Sequence, residues 1–179
     1  MPYTPPPEIA ALSLAELVDA VAARKLPPLE RWSPAHQGDS EMRIAADGTW
    51  YHQGSPIARP AMVRAFAGLL MRDAQGAHWL VTPNQKLSIE VEDAAFIATD
   101  VTQRDGTLAF RLNTDEVVLA NAQNPIEARG PVETPALYLQ VRRGCEARLN
   151  RSTYLQLAEL ADGDWNVASA GETFALRPR

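Results

Sequence analysis

Arg59 stands directly before Pro60, and a proline there fits the first position of a helix. The guanidinium is then placed beside the positive end of a helix dipole, unfavourable by roughly a few tenths of a kcal/mol, and needs an anionic partner. That partner is either a carboxylate of the protein or a bound ligand. Arg142, Arg143, Arg148 and Arg151 crowd a single short stretch. The planar fork of arginine suits phosphate or carboxylate, while the plainer reading is charge that guards strand edges. Arg142 and Arg143 must point to opposite faces of any extended strand.

Other chemistry-bearing residues are sparser. Thr82-Pro83-Asn84-Gln85-Lys86 offers a hydroxyl, an amide and an ammonium after a strand, either a polar pocket edge or an ordinary turn. Glu92-Asp93 could serve as a general base, hold a cation or close a strand. His36, His52 and His78 lack metal-ligand spacing and have only one cysteine, Cys145, in the chain, so no metal site is expected. Nothing places a base beside Cys145, although nearby arginines would favour its thiolate. Trp50, Trp79 and Trp165 are assigned to predicted strands in the core, with ligand stacking as the alternative. There is no Walker loop, Gly-rich dinucleotide fingerprint, Gly-x-Ser-x-Gly elbow or kinase set.

The elements that must position these residues read as follows. Ser13 and Glu16 form a capping box, with Leu12 and Leu17 as a hydrophobic staple, and Leu14, Leu17, Val18 and Val21 form the stripe of a first helix ending before Pro27-Pro28. Residues 30–39 have no clear period and read as a packed loop. Strands at 42–46 and 49–52 flank Asp47-Gly48, a type I′ hairpin signal. Gly54 to Pro60 joins that hairpin to a second helix with Met62, Val63, Phe66 and Leu70 on its apolar face, ending near Arg72. A strand at 78–81 follows, closed by Thr82-Pro83. The period then changes to two. Strands at 86–92, 96–101, 107–112 and 116–119 read as an antiparallel meander. A strand at 137–142, a break at Gly144, a short strand at 146–149, a third helix from Arg151 and strands at 165–167 and 173–176 complete the chain.

The expected class is α+β, rich in mostly antiparallel sheet, with about three helices. The divisions are a lead-in and helix over 1–28, a first half over 29–84 and a second half over 85–179. Placing Arg59 over Arg151 brings Ile57 over Leu149 and Val63 over Leu155, with Trp79 and Trp165 on following strands. The order of elements suggests an internal duplication, with chance similarity as the competitor.

At 179 residues, 46% of them hydrophobic, the chain can bury a substantial core. A formal net charge of −5 gives no overall field for nucleic acid or an anionic membrane, so an anion site must be local. The opening Met1-Pro2-Tyr3-Thr4-Pro5-Pro6-Pro7 is no signal peptide, no apolar run approaches transmembrane length, and the single cysteine fits a reducing compartment. A cytoplasmic protein is expected.

Arg43-Ile44, Asp47-Gly48-Thr49-Trp50-Tyr51-His52, Gly54-Ser55-Pro56-Ile57 with Arg59, Leu80-Val81-Thr82-Pro83 with Lys86, and Val91-Glu92-Asp93 with Phe96 together resemble an uncharacterised bacterial family, domain of unknown function 1285. The resemblance continues through Asn113-Thr114 and residues 142–151. It departs at Asn84-Gln85 and at Ala95. It implies a β-rich duplicated core, a second half superficially similar to pleckstrin-homology domains, and a nucleotide-like ligand held where the halves meet, in a signalling role.

These readings lead to an expected non-enzymatic sensor or adaptor that binds a small anionic ligand. Arg59, Lys86, Arg142 and Arg151 would meet the charge, with Thr82 and Asn113 as hydrogen-bonding partners. No cofactor is expected. The alternatives are an enzyme acting on a phosphorylated or carboxylated substrate with Glu92 or Asp93 as base, and an interaction module using an exposed sheet edge.

Overall fold

The computed structural model of the chain describes residues 8–23 and 25–179. The chain divides into two compact units. The N-terminal unit comprises Lys25–Ala95 with Arg142–Cys145, and the C-terminal unit comprises Phe96–Val141 and Glu146–Arg179 with residues 8–23. The expected boundary at 84/85 falls within a hairpin of the N-terminal unit, so the division lies later in the chain.

The N-terminal unit is built on strands β1 (His36–Ile44), β2 (Trp50–His52), β3 (Ser55–Pro56), β4 (Leu70–Arg72), β5 (His78–Val81) and β6 (Gln85–Val91), with helix α2 (Pro60–Ala67) between β3 and β4; helix α1 (Leu14–Ala23) belongs to the other unit. The sheet order is β3-β2-β1-β6-β5-β4. All pairings are antiparallel except the central one, β1 with β6. Residues 36–39, expected as loop, are the first half of β1. Their partner β6 lies far along the chain, and no local periodicity announces it. β6 therefore belongs to this sheet and not to the meander. Trp50, Ile44, Leu70, Leu80, Val81 and Ile89 form the core.

Two local expectations change. The turn at Asp47-Gly48 is not type I′, because only Gly48 has positive φ (89°). The Gly48 N–H instead donates to Ala45 O at 2.9 Å, and Asp47 Oδ1 accepts from Thr49 N, giving the longer loop that ends on a left-handed glycine. Helix α2 stops at Gly68, short of Arg72, because Leu70 to Arg72 pair with β5 as a strand.

In the C-terminal unit β7 (Phe96–Arg104), β8 (Thr107–Leu112), β9 (Val117–Leu119), β10 (Ile126–Arg129), β11 (Ala136–Arg142) and β12 (Cys145–Leu149) form a sheet of order β10-β11-β12-β7-β8-β9. Here too the first and sixth strands are parallel neighbours in the middle, β7 with β12. Read from its other edge, this order repeats that of the N-terminal sheet strand for strand. The fold is thus α+β, mostly antiparallel, with two related halves. The repeat differs from the one expected: α2 lies between the third and fourth strands of its sheet, whereas helix α3 (Arg151–Glu159) follows the sixth. Arg59 and Arg151 are not equivalent positions. Trp165 lies in a turn before β13 (Asn166–Ser169), which pairs with β14 (Glu172–Ala175).

The capping box of α1 forms, with Ser13 Oγ accepting from Glu16 N at 3.2 Å. Leu17 is buried with Ile9 and Ala109, against Leu12, Val117 and Leu119 of the C-terminal unit. The expected stripe is only partly used, since Val18 and Val21 stay 47% and 40% exposed. No described helix is long and apolar enough to cross a membrane.

Candidate functional site

α2 lies along a largely apolar groove of about 660 Å³. Its apolar lining is Met42 of β1, Ile57, Met62 and Phe66 around α2, Leu80 of β5 and Leu87 of β6. The sequence dictates this arrangement. Phe66 points from α2 onto the sheet and stacks on Trp50, with ring centroids 6.3 Å apart. Met62, one turn earlier, is left 41% exposed beside the groove. β2 and β3 are too short to fill the space along β1.

Arg59, Thr82, His52 and Asp39 bring polar groups to this cavity. Arg59 occupies the N-cap position of α2 with extended backbone (φ −89°, ψ 110°), and its side chain makes no capping bond. Among the described residues its guanidinium has no ion pair or hydrogen bond. Glu92 and Glu146, two internal carboxylates that could have paired with it, are engaged elsewhere. Glu92 pairs with Arg43 through one oxygen and accepts from Ala46 N at 2.9 Å through the other. Glu146 pairs with Arg129 at 2.5 Å. Thr82 Oγ1 accepts from Gln85 N at 3.0 Å, so the hydroxyl holds the β5–β6 turn as well as facing the cavity.

The other expected ligand residues have different surroundings. Lys86 lies on the opposite face of β6 from Leu87, with Nζ 4.4 Å from the centroid of the Trp79 ring. Trp79 in turn donates from Nε1 to Asp73 Oδ2 at 2.9 Å, and this bond, with those from Ala77 and Gln75, holds the Asp73 carboxyl below its ordinary pKa. Arg142 donates to Ala67 O at 3.1 Å, where the end of α2 leaves carbonyls in need of donors. Arg143 donates to Gly68 O, Pro27 O and Glu30 Oε1 at 3.0, 2.6 and 2.6 Å. Both arginines meet negative backbone dipoles at a helix end.

Asn113 and Arg151 lie in the C-terminal unit. Asn113 Oδ1 accepts from Ile97 N at 3.1 Å, and its own N–H donates to Ile97 O at 2.8 Å, which ties a loop to β7. Arg151 opens α3 after Asn150, whose Oδ1 caps Thr153 N at 2.9 Å. It lines a smaller cavity of about 300 Å³ with Arg148, Tyr154 and Thr134. Among the described residues Arg151 also has no ion pair or hydrogen bond.

Arg59 and Thr82 are therefore the two expected site residues that share one cavity. The apolar lining was not expected as a site, because Met42, Leu80 and Leu87 read as core. The one available signal was Met62 on the helix face next to Arg59. No group of three or more His, Cys, Asp or Glu residues suited to a metal occurs among the described residues.

Two family models cover most of the chain. The model for "Domain of unknown function (DUF1285), N-terminal domain" matches residues 27–94, and that for the DUF1285 C-terminal domain matches residues 95–176. The chain belongs to the DUF1285 family. A crystal structure of a DUF1285 family protein from Silicibacter pomeroyi DSS-3 is 38% identical, with a TM-score of 0.77, over 90% of this chain and 94% of that one. Another DUF1285 protein, from Shewanella baltica OS155, shares the fold at 20% identity and a TM-score of 0.55, over 66% of this chain and 90% of its own. None of the curated proteins matches the chain.

Proposed function

We propose that this DUF1285 protein is a non-enzymatic binding protein whose N-terminal unit receives a small ligand with an apolar body and an anionic end. The observation that carries the reading is Arg59, which meets no described carboxylate and stands at the rim of an otherwise apolar groove. A guanidinium beside a helix N-terminus recovers its electrostatic cost when a carboxylate or phosphate arrives. The groove floor of Leu80, Leu87 and Phe66 would hold the body of the ligand, and a nucleotide-like molecule is one that combines a flat body with phosphate. A cytoplasmic sensor or adaptor role is the one that accompanies this reading.

Enzymatic chemistry draws less support, since both oxygens of Glu92, one of the two expected bases, are engaged by Arg43 and Ala46, and Asp93 has a partner as well. Native mass spectrometry of the purified protein, followed by titration of adenosine monophosphate and of a medium-chain alkyl phosphate, tests the proposal. Arg59→Ala should weaken binding by about tenfold or more while the melting temperature stays nearly constant. Unchanged affinity in that variant, or a folded protein that binds neither probe, refutes it.

A further inference from the structure

β1 is nine residues long, yet β2 pairs only with its last part, Met42 to Ile44. Among the described residues His36 to Asp39 pair with β6 alone, and no strand stands on their other side. Among the described residues no other backbone hydrogen bond reaches these four. The edge carries neither lysine nor proline; Asp39 is its one charge, and a bulge follows between Asp39 and Arg43. Its exposed N–H and C=O groups form a template for another backbone.

Gly38 adds a second observation. It pairs with Leu87 across β1 and β6, on the groove side of the sheet, and a Cβ there would lie 3.3 Å from Leu87 Cδ2. Its φ lies outside the left-handed region, so the backbone does not require glycine. With no Cβ, Gly38 leaves the Leu87 side chain its room on the groove face, just before the bulge between Asp39 and Arg43.

The two faces beside this edge differ in chemistry. One is the apolar groove with Met42 and Leu87. A second cavity of about 560 Å³ shares Asp39 and Met42 with the groove and adds Glu41, Glu90 and Arg43; the pairing of Asp39 with Ser88 puts Asp39 and Glu90 on the face opposite Leu87. The Arg43 charge is already met by Glu92, and Lys86 on that face lies over the Trp79 ring, so three carboxylates stand against one ammonium there. A strand added to β1 would send successive side chains alternately to these two faces.

We propose that the His36–Asp39 edge receives an extended segment of a partner protein in which apolar residues alternate with lysine or arginine. The apolar side chains enter the groove and the basic ones face Asp39, Glu41 and Glu90. This surface goes beyond the ligand reading: it shares the groove with it but does not use Arg59.

Fluorescence anisotropy with a labelled peptide of about eight residues, alternating valine and lysine, tests it at physiological salt. Saturable binding is expected, weakened about tenfold by Glu90→Lys and by N-methylation of one of the two alternate sets of peptide amides. Hydrogen exchange should show new protection at residues 36–39. Equal binding of peptides N-methylated in either set, equal binding of a valine–glutamate peptide, or no saturable binding by folded protein overturns the proposal. Glu90→Lys should leave affinity for the ligand probes within about twofold, which tells failure of the peptide surface from failure of the ligand reading, and equal loss of both in that variant overturns the proposal.

Discussion

Gly144 lies against the backbone of Arg72: a Cβ on Gly144 would stand 2.7 Å from the Arg72 carbonyl oxygen, and Gly144 itself has φ +77°. The adjoining Arg143 O accepts from Arg72 N at 2.9 Å, so the approach is fixed by hydrogen bonding as well as by shape. Gly144→Ala should destabilise the protein by about 2 kcal/mol or more, combining left-handed strain with a backbone collision. Urea unfolding of the variant measures this, and unchanged stability would show that the turn can move away at little cost.

Arg143 should behave as a structural residue and not as a ligand contact. Its side chain is 13% exposed and reaches the carbonyls of Pro27 and Gly68. Arg143→Ala should cost about 1–3 kcal/mol, most of it from leaving those carbonyls without their donors. Lysine should rescue poorly, because one ammonium cannot reproduce the fork. Glu30→Ala should cost much less, since that carboxylate is 66% exposed.

Asp73 predicts a component of acid sensitivity. The Trp79 bond, followed by those from Ala77 and Gln75, lowers its folded pKa below the ordinary 3.8. The folded state therefore favours the ionised carboxylate. Its contribution is present above pH 3.8 and is lost as the pH falls through the lower folded value. Asp73→Asn should flatten the acid limb of a stability–pH profile, measured by denaturant unfolding across that range.

Glu92 should matter for folding of the β1–β2 hairpin. It holds Arg43 and the Ala46 N–H with separate oxygens. Glu92→Gln, which keeps size but removes charge, should lower stability by about 1 kcal/mol and leave binding of the ligand probes unchanged. Calorimetry on the variant with and without probe separates the two effects.

Much of the fold was legible in local signals. Ser13 with Glu16 announced α1, Pro60 announced the start of α2, and the alternation from Leu87 to Val91 announced a half-buried strand. What could not be read was set by distant partners. His36 to Asp39 look like loop because they alternate in nothing; β6 alone makes them a strand. The two arginine helix starts looked alike because both precede an apolar stripe, yet their helices occupy different places in the repeated sheet order. At the candidate site Arg59 stood out by its conflict with a helix dipole. Arg142 looked equally suited to an anion, because sequence does not reveal that the carbonyl of Ala67 is its partner.

The allocation of residues 8–23 and 142–145 has a consequence for synthesis on the ribosome. The carbonyls of Gly68 and Pro27 emerge 75 and 116 residues before Arg143, their donor. At ordinary translation speed Gly68 waits roughly 4–15 s for it. Leu17 similarly precedes Ala109, its buried neighbour, by about half of the chain. Both units of the nascent protein are therefore incomplete when the stretch up to residue 95 has been made, and cutting the finished chain at the family-domain boundary would leave each product without a piece that the other carries.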